Sequence, residues 1–315
     1  PLALHGVVTL SDGTVKEIVI GEDENDPVFY ISDLLPHLSA EQNERKLSVG
    51  VTGEELNVWV GGMSEPNAED DKVKTAVLTL LNQKYGIVEE DFLTAELTCV
   101  PAYKAKDVGF DRAFIAAYGH DDKVCAYPAL IAQLESDKQH TTMTVLADKE
   151  EIGSEGVTGM QSMIFTDLLE EICLSLGKNE RAVRAASMCL SADVTSAYDP
   201  TFSNAFEKNN AATASCGVAL MKFTGARGKS GSSDASSEFM GKVRAMLEKE
   251  GVIWQVSELG KVDLGGGGTV AKYIAQKNID TLDVGTPVIS MHAPYELISK
   301  GDLYHTYLAF KAFVK

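Results

Sequence analysis

The sequence predicts an α/β fold: a three-layer sandwich with a mostly parallel central sheet, joined to a separate β-rich domain. Two observations lead to this prediction. From residue 101 onward, short apolar strand-like runs alternate with longer helical segments, which is the pattern of such sandwiches. Residues 1–100 lack this alternation and open with two strands around a Ser-Asp-Gly turn. Because 315 residues exceed the usual size of one domain, we place the domains at 1–100 and 101–315.

The helices of the second domain are predicted where apolar residues recur at helical spacing. They are "VCAYPALIAQLES", "VTGMQSMIFTDLLEEICLSLG" and "DASSEFMGKVRAMLEKEG". Gly177 and Gly251 end the last two, a common place for glycine. The strands are predicted as short apolar runs, namely "TTMTVLAD", "AASMCLSAD", "CGVALMKF", "VIWQVS", "DTLDVG" and "PVISM". Parallel sheets bind ligands beyond the carboxyl ends of their strands, so the polar residues at those ends are candidates for a site.

The charge balance argues against several kinds of partner. Lys and Arg number 28 against 46 Asp and Glu, and the net charge of −18 repels nucleic acid and anionic membranes. No apolar run approaches the ~20 residues that cross a bilayer. The five cysteines are scattered and form no CxxC pair, which predicts free thiols in a reducing cytoplasm rather than a disulfide framework.

Acidic residues and a histidine stand at strand ends or helix starts in four separate segments. They are Asp121, Glu150, Glu151, Asp193 and His292. Each has an ordinary explanation: the acids at 121 and 122 cap a helix, the glutamates are solvated, Asp193 is a loop acid and His292 is a core histidine. In a parallel sheet these points meet at one edge, where clustered carboxylates repel unless a divalent cation compensates them. Carboxylates and imidazole without cysteine suit Zn, Mn or Co, and two ions can share one carboxylate.

The adjacent glutamates then have distinct uses. Consecutive side chains of an extended segment point in opposite directions, so one glutamate can bind metal. Its neighbour can act as general base, accepting a proton from the attacking water and returning it to the leaving amine. The spacing alone does not decide which glutamate has which role.

Five segments carry a family resemblance that extends over essentially the whole chain. They are "YGHDDKVCAY", "ADKEEIGS", "SADVTSAYDPTF", "GKVDLGGGGTVAKYIA" and "SMHAPYE". In this order they resemble the motifs of aspartyl-aminopeptidase-type zinc exopeptidases, with clostridial and other bacterial members most similar. The resemblance implies a metal-dependent aminopeptidase whose catalytic α/β domain is interrupted by an inserted β-rich dimerisation domain. Residues 1–100 match the insert, and residues 101–315 match the C-terminal part of the catalytic domain.

The resemblance also implies roles for single residues. Asp121 bridges two metal ions, Glu151 and His292 complete one of them, and Asp193 binds the other. Glu150 is then the general base. Zinc is the expected metal in both positions, with Mn or Co as alternatives.

The substrate is implied to be a peptide, held by further residues. Lys222 stands at the place of a lysine that contacts substrate, and His5 resembles a histidine of the insert that reaches a neighbouring subunit's active site. The glycine run at 265–268 lacks the order of a phosphate loop. We interpret it as a close-approach wall of the pocket, with Gly266 and Gly267 contacting substrate through the backbone. Family members form dodecamers built from dimers, so a homo-oligomer is expected.

Two departures from the family pattern keep alternatives open. The second ion also needs a histidine from a His-x-Asp segment, which none of the six histidines supplies, so we expect that segment to precede Pro1. Ser196 stands where eukaryotic members carry a substrate-side histidine, so a preference for acidic N-terminal residues is open. The alternatives are an oligomeric scaffold that lacks one metal ligand, and a deacylase of the same fold.

Overall fold

The computed structural model describes residues 1–137, 139–227 and 230–315. The chain divides into two compact units, Pro1–Lys104 and Ala105–Lys315. No helix of the described residues combines the length and the apolar character needed to cross a membrane.

The first unit is built on a small antiparallel sheet. Its strands and helices are β1 (Leu2–Thr9), β2 (Val15–Ile20), β3 (Tyr30–Ile31), α1 (Ala40–Asn43), β4 (Val58–Trp59), α2 (Lys72–Tyr85) and β5 (Ala95–Pro101). Strand β1 lies between β2 and β5 and pairs antiparallel with both, while β3 pairs with β4. Val8, Ile18, Ile20 and Ile87 form its buried core. Gly6 is required in β1, because a Cβ there would lie 1.9 Å from the Glu96 carbonyl oxygen.

The second unit alternates strands and helices, as the sequence predicts. Its first elements are β6 (Lys106–Val108), β7 (Phe114–Ala117), α3 (His120–Leu134), α4 (Ile164–Ser175), α5 (Glu180–Ala186), β8 (Met188–Ala192), β9 (Thr195–Ser196) and β10 (Val218–Met221). They are followed by α6 (Ser237–Lys249), β11 (Trp254–Val256), α7 (Ala271–Ala275), β12 (Asp280–Gly285), β13 (Pro287–Ile289), β14 (Glu296–Ser299) and α8 (Lys300–Phe313). Helices α3, α6 and α8 bury their apolar faces in a core that includes Val124, Phe239 and Phe310.

The sheets of this unit are mixed, which corrects the prediction of a mostly parallel sheet. One sheet has the order β11-β10-β12-β8 and the other β6-β7-β14-β13-β9. Strand β10 runs parallel to β11, β12 to β8 and β13 to β9, but β12 is antiparallel to β10 and β14 is antiparallel to β13 and β7. The chain passes from β6 to β7 and from β13 to β14 through short loops, and such loops can join only antiparallel strands.

The strand predicted in "TTMTVLAD" does not form. Within the described chain, residues 141–147 join no ladder, and only Asp148 makes an isolated bridge, to Gly159. Met143 and Leu146 remain exposed. Alternating apolar and polar residues are typical of a half-buried strand. A strand also needs a neighbouring strand to pair its backbone N–H and C=O groups, and the described part of the chain does not supply one here.

The long predicted helix is shorter at its start but ends as expected. Helix α4 begins at Ile164 rather than in "VTGMQS". Gly177, at φ 63°, follows its C-terminus, and the Lys178 N–H donates to the Cys173 carbonyl. This is the left-handed glycine ending that the sequence predicts.

Candidate metal centre

A pocket of about 380 Å³ opens at the strand ends of the second unit. Its lining includes all five residues that the sequence selects for the metal and base site: Asp121, Glu150, Glu151, Asp193 and His292. The four segments that carry them are therefore brought to one place, although the sheets are mixed.

The backbone positions these residues at the ends of regular elements. Asp193 directly follows β8, and His292 follows β13 with its backbone in the left-handed region at φ 65°. Asp121 lies in the first turn of α3, where its φ and ψ are not helical. The N-cap of α3 is Gly119, and no side chain of the described residues caps this helix, so helix capping does not explain the acids at 121 and 122.

The two glutamates lie in a single 3-10 turn, Glu150–Ile152. The prediction of an extended backbone here is therefore wrong. Lys149 and Gly153, on either side of the turn, adopt left-handed φ angles of 63° and 91°. The turn still separates the two side chains. Glu151 is exposed and lies near an imidazole, whereas Glu150 is half-buried in the pocket wall.

One group of possible ligands contains two carboxylates and an imidazole. The His292 Nε2 atom lies 3.0 Å from Asp121 Oδ2 and 3.5 Å from Glu151 Oε1. The ligand atoms of the three residues lie within 4.8 Å of one another. With its side chain 63% exposed to solvent, His292 is not a core histidine.

A second group contains three carboxylates. Asp121, Asp122 and Asp193 each offer an oxygen, and these oxygens also lie within 4.8 Å of one another. Asp121 belongs to both groups and thus joins them. The predicted ligand set omitted Asp122, because the resemblance implies a metal role for only Asp121 of the two adjacent aspartates.

In these carboxylates, burial and neighbouring negative charges outweigh the compensation that His292 gives to Asp121. Burial, with the neighbouring charge of Glu151, raises the pKa of Asp121 to about 7, and burial raises the pKa of Asp122 to about 8. The pKa of Asp193 is likewise raised, first by burial and then by the charge of Asp122. The buried Oδ1 atom of Asp122 has no hydrogen-bond partner among the described residues. An oxygen-rich donor set with one imidazole, an orphaned carboxylate oxygen and uncompensated acids together fit a divalent cation such as zinc.

Glu150 differs from its neighbour in its surroundings. It does not belong to either group of ligand atoms among the described residues. Burial raises its pKa, and the charge of Glu151 adds to the effect. Glu150 is thus a half-buried pocket carboxylate whose pKa lies above its ordinary value.

Glu296 is a buried residue of this region that the sequence did not reveal. Its side chain is 2% exposed. One carboxylate oxygen accepts the N–H of Asp121 at 3.0 Å, and the other accepts the N–H of His292 at 2.7 Å. In the sequence, Glu296 ends the segment "SMHAPYE" and begins the apolar run "ELIS", where a polar residue is unexpected.

The glycine run forms a wall of the pocket, to which Gly266 and Gly267 both contribute. Gly266 has φ 87°, and a Cβ there would lie 2.2 Å from the Gly225 carbonyl oxygen. Its N–H donates to the Leu259 carbonyl at 2.7 Å, so this amide serves the loop instead of facing substrate as expected. The Gly267 carbonyl accepts the Gly225 N–H at 2.7 Å.

A buried aspartate holds the end of this wall. Thr269 lines the pocket, and its hydroxyl donates to the Oδ2 atom of Asp283 at 2.9 Å. Asp283 lies in β12 with 1% exposure, and burial raises its pKa to about 7. This contact could not be predicted from the sequence, because Asp283 sits in the middle of a predicted apolar strand.

Two predicted substrate-binding residues each pair with a carboxylate. The Lys222 ammonium is 2.5 Å from Asp234 Oδ1, and Lys222 does not line the pocket in the described part of the chain, although Met221 and Phe223 do. His5 belongs to the first unit, where its Nε2 lies 2.9 Å from Glu22 Oε1. Their contacts with substrate stay predictions.

Comparison with known proteins agrees with the geometry. The family described as aminopeptidase I zinc metalloprotease (M18) matches residues 1–314. The probable M18 family aminopeptidase 1 of Clostridium acetobutylicum is 46% identical over 320 residues, covering 100% of this chain and 69% of that protein. Its counterpart in Thermotoga maritima is 43% identical, covering 100% of this chain and 70% of that protein.

Solved structures show the same similarity. The crystal structure of the M18 aminopeptidase from Thermotoga maritima matches with a TM-score of 0.96, covering 100% of this chain and 71% of that one, at 43% identity. The dodecamer structure of mApe1 from S. cerevisiae has a TM-score of 0.71 at 21% identity, covering 99% of this chain and 68% of that one. The sequence match, the shared fold and the acidic pocket confirm the predicted resemblance: the chain belongs to the M18 family of zinc metalloaminopeptidases.

Proposed function

We propose that this aminopeptidase removes the N-terminal residue of peptides at a centre of two divalent cations, with Glu150 as the general base. The single observation that carries the proposal is the place of Asp121 in both ligand groups. In this proposal Asp121 is the shared ligand, Glu151 and His292 complete the first position, and Asp193 serves the second. The family assignment favours this reaction over a deacylase.

The two positions differ in donor chemistry. The first has the imidazole of His292, while the second group has only carboxylates among the described residues. Zinc binds imidazole nitrogen well, whereas an all-oxygen set also suits Mn. We therefore propose zinc for the first position, with the second more exchangeable.

The chain's own residues have defined tasks in the reaction. Zinc, when bound, polarises a carbonyl oxygen and makes water more acidic. Glu150 accepts a proton from the attacking water and returns it to the leaving amine, since its raised pKa brings it closer to neutral pH. The acidic lining, to which Glu258 also contributes, attracts the positively charged amino end of a peptide. The glycine wall bounds the pocket on the side of Gly266.

Glu150→Gln tests the base assignment. The substitution keeps the side-chain shape but removes the proton acceptor, so turnover should fall by about 10²- to 10⁴-fold. Zinc content, measured by atomic emission, should match the wild type. Glu171→Gln, on the exposed surface of α4, is the matched control and should retain full turnover. Substantial activity in a zinc-replete Glu150→Gln enzyme would disprove the role of Glu150.

A preference for acidic N-terminal residues is the finer part of the proposal. It would depend on Lys222, which follows the pocket-lining Met221 and is paired with Asp234. Turnover rates of the wild-type enzyme for peptides that begin with Asp, Glu or Leu test this preference. A faster rate for Leu would contradict it.

We also propose a homo-oligomer in the cytoplasm. The first unit exposes many large apolar side chains, among them Leu47, Trp59 and Met63, and large exposed apolar areas mark interaction surfaces. The yeast relative whose structure is a dodecamer shares the fold.

All five cysteines are free, which suits a reducing compartment.

A further inference from the structure

The carboxylate of Glu296 connects two segments that carry proposed metal ligands. Glu296 is the first residue of β14 and lies opposite Ala117 of β7 in the antiparallel register. Strand β7 leads into the turn with Asp121, and β14 follows the loop with His292. The side chain is buried at the point where the two segments approach each other.

Both oxygens of this carboxylate are used, each by a different segment. Oε2 accepts the Asp121 N–H at 3.0 Å, and Oε1 accepts the His292 N–H at 2.7 Å. The side chains of the same two residues meet on the pocket side, where His292 Nε2 is 3.0 Å from Asp121 Oδ2. One buried residue therefore fixes the backbones of two residues whose side chains converge on one point.

We propose that Glu296 is a positioning residue of the metal centre, one that holds Asp121 and His292 at their mutual distance before the cation binds. This inference rests on the metal centre proposed above. Among the described residues, Glu296 belongs to neither group of ligand atoms, and its two oxygens are each engaged by a backbone N–H of a proposed ligand. His292 has the most to gain, because its left-handed backbone is unfavourable for a residue with a side chain and needs support from its surroundings.

The chemistry of the residue explains why a carboxylate is needed. A carboxylate accepts two N–H groups at once, and hydrogen bonds to a charged acceptor are stronger than neutral ones. An amide has one accepting oxygen, so Glu296→Gln directs an NH₂ group at one of the two backbone donors. Supporting residues of this kind typically change metal affinity by about 10- to 100-fold when they are replaced.

A second buried acid provides a matched control. Asp302 is 0% exposed, and its two oxygens accept the N–H groups of Ser215 and Gly217, both at 2.7 Å. Neither of those residues is a proposed ligand. Asp302→Asn therefore removes the same kind of bonds from the same fold without touching the ligand segments.

The experiment measures the affinity for Zn²⁺ alone, by competition with a chromogenic chelator, in the wild type, Glu296→Gln and Asp302→Asn. We expect both variants to unfold at lower temperature, but only Glu296→Gln to bind zinc about 10- to 100-fold more weakly. Equal affinity in Glu296→Gln and the wild type would overturn the positioning role and leave the metal centre intact. A wild type that binds no zinc would overturn both proposals.

A measurement on the unmodified protein applies even if Glu296→Gln does not fold. Hydrogen exchange of the metal-free wild type, followed residue by residue, should show slow exchange of the Asp121 and His292 amides, as for the Ser215 and Gly217 amides held by Asp302. Fast exchange at Asp121 and His292 would show that the carboxylate does not hold them without the cation, and the inference would be wrong.

Discussion

At the scale of single residues, the centre is a set of acids that the fold stabilises poorly without a cation. Asp121 and Asp122 have pKa values near 7 and 8 because burial disfavours their charged forms. Their ordinary value is 3.8. The folded, metal-free protein thus holds protons that the unfolded chain releases near pH 4. Stability from these groups is complete below their ordinary pKa and is lost as pH rises through the folded values.

A pH series tests this account of the acids. The unfolding temperature of the chelator-treated protein should fall as the pH rises from about 5 to about 8, and added zinc should remove most of this fall. Asp122→Asn, which keeps the size of the side chain, should flatten the metal-free profile. Calorimetry gives both curves. A metal-free profile equally steep in Asp122→Asn and in the wild type would show that this carboxylate is not responsible.

The sequence was most successful for the residues of the proposed metal centre. The five candidates share a recognisable setting, a polar side chain directly after an apolar run or before a helix, and the structure brings all five to one pocket. Glu296 and Asp283 were missed because each belongs to an apolar strand. Their contacts depend on their burial in the folded chain, which no spacing of residues in the sequence reveals. The partner of Lys222 was also hidden, since nothing in a Gly/Ser-rich loop indicates that Asp234 faces it.

At the scale of elements, the glycine wall depends on its attachment to β12. The Thr269 hydroxyl donates to the buried Asp283, so the loop that bounds the pocket is tied to a strand of the sheet. Loops that bound a substrate pocket contribute to catalysis by holding the substrate in position. The wall carries none of the proposed metal ligands or the proposed base, so losing this contact should weaken binding of the substrate and of the transition state equally and raise the Michaelis constant more than it slows the chemical step.

Two substitutions at one position test the attachment. Thr269→Val removes one hydroxyl donor from the buried Asp283 carboxylate, which should lower the free energy of unfolding by about 1–3 kcal/mol. The KM for a peptide substrate should rise several-fold, with a smaller change in kcat. Thr269→Ser keeps the hydroxyl and should behave like the wild type. Steady-state kinetics distinguish these outcomes, and equal KM values for Thr269→Val and Thr269→Ser would contradict the role of the contact.

The elements show what a local pattern can and cannot predict. The existence of most strands and helices followed from apolar spacing, and Gly177 marked a helix end correctly. Strand direction did not follow, because it depends on loop length and on which strands become neighbours. Residues 141–147 have the pattern of a strand but no ladder partner in the described chain, so the pattern alone overpredicts.

At the scale of the whole molecule, we propose that the first unit forms the contacts between subunits and that the second unit carries the metal centre. Leu47 is 98% exposed, so replacing it should not disturb the fold of a single chain. Leu47→Asp should therefore reduce the mass found by sedimentation velocity, while Phe110→Asp, equally exposed in the second unit, should not. A wild type that sediments as a monomer would contradict the proposed oligomer.

The central claim concerns the whole site: two cations share Asp121. Crystals of the zinc-soaked protein, measured on both sides of the zinc absorption edge, test it most directly. We expect two anomalous peaks roughly 3.5–4 Å apart on either side of the Asp121 carboxylate. One peak should contact Glu151 and His292, and the other should contact Asp193. Zinc peaks elsewhere, or none at Asp121 in zinc-replete crystals, would contradict the account.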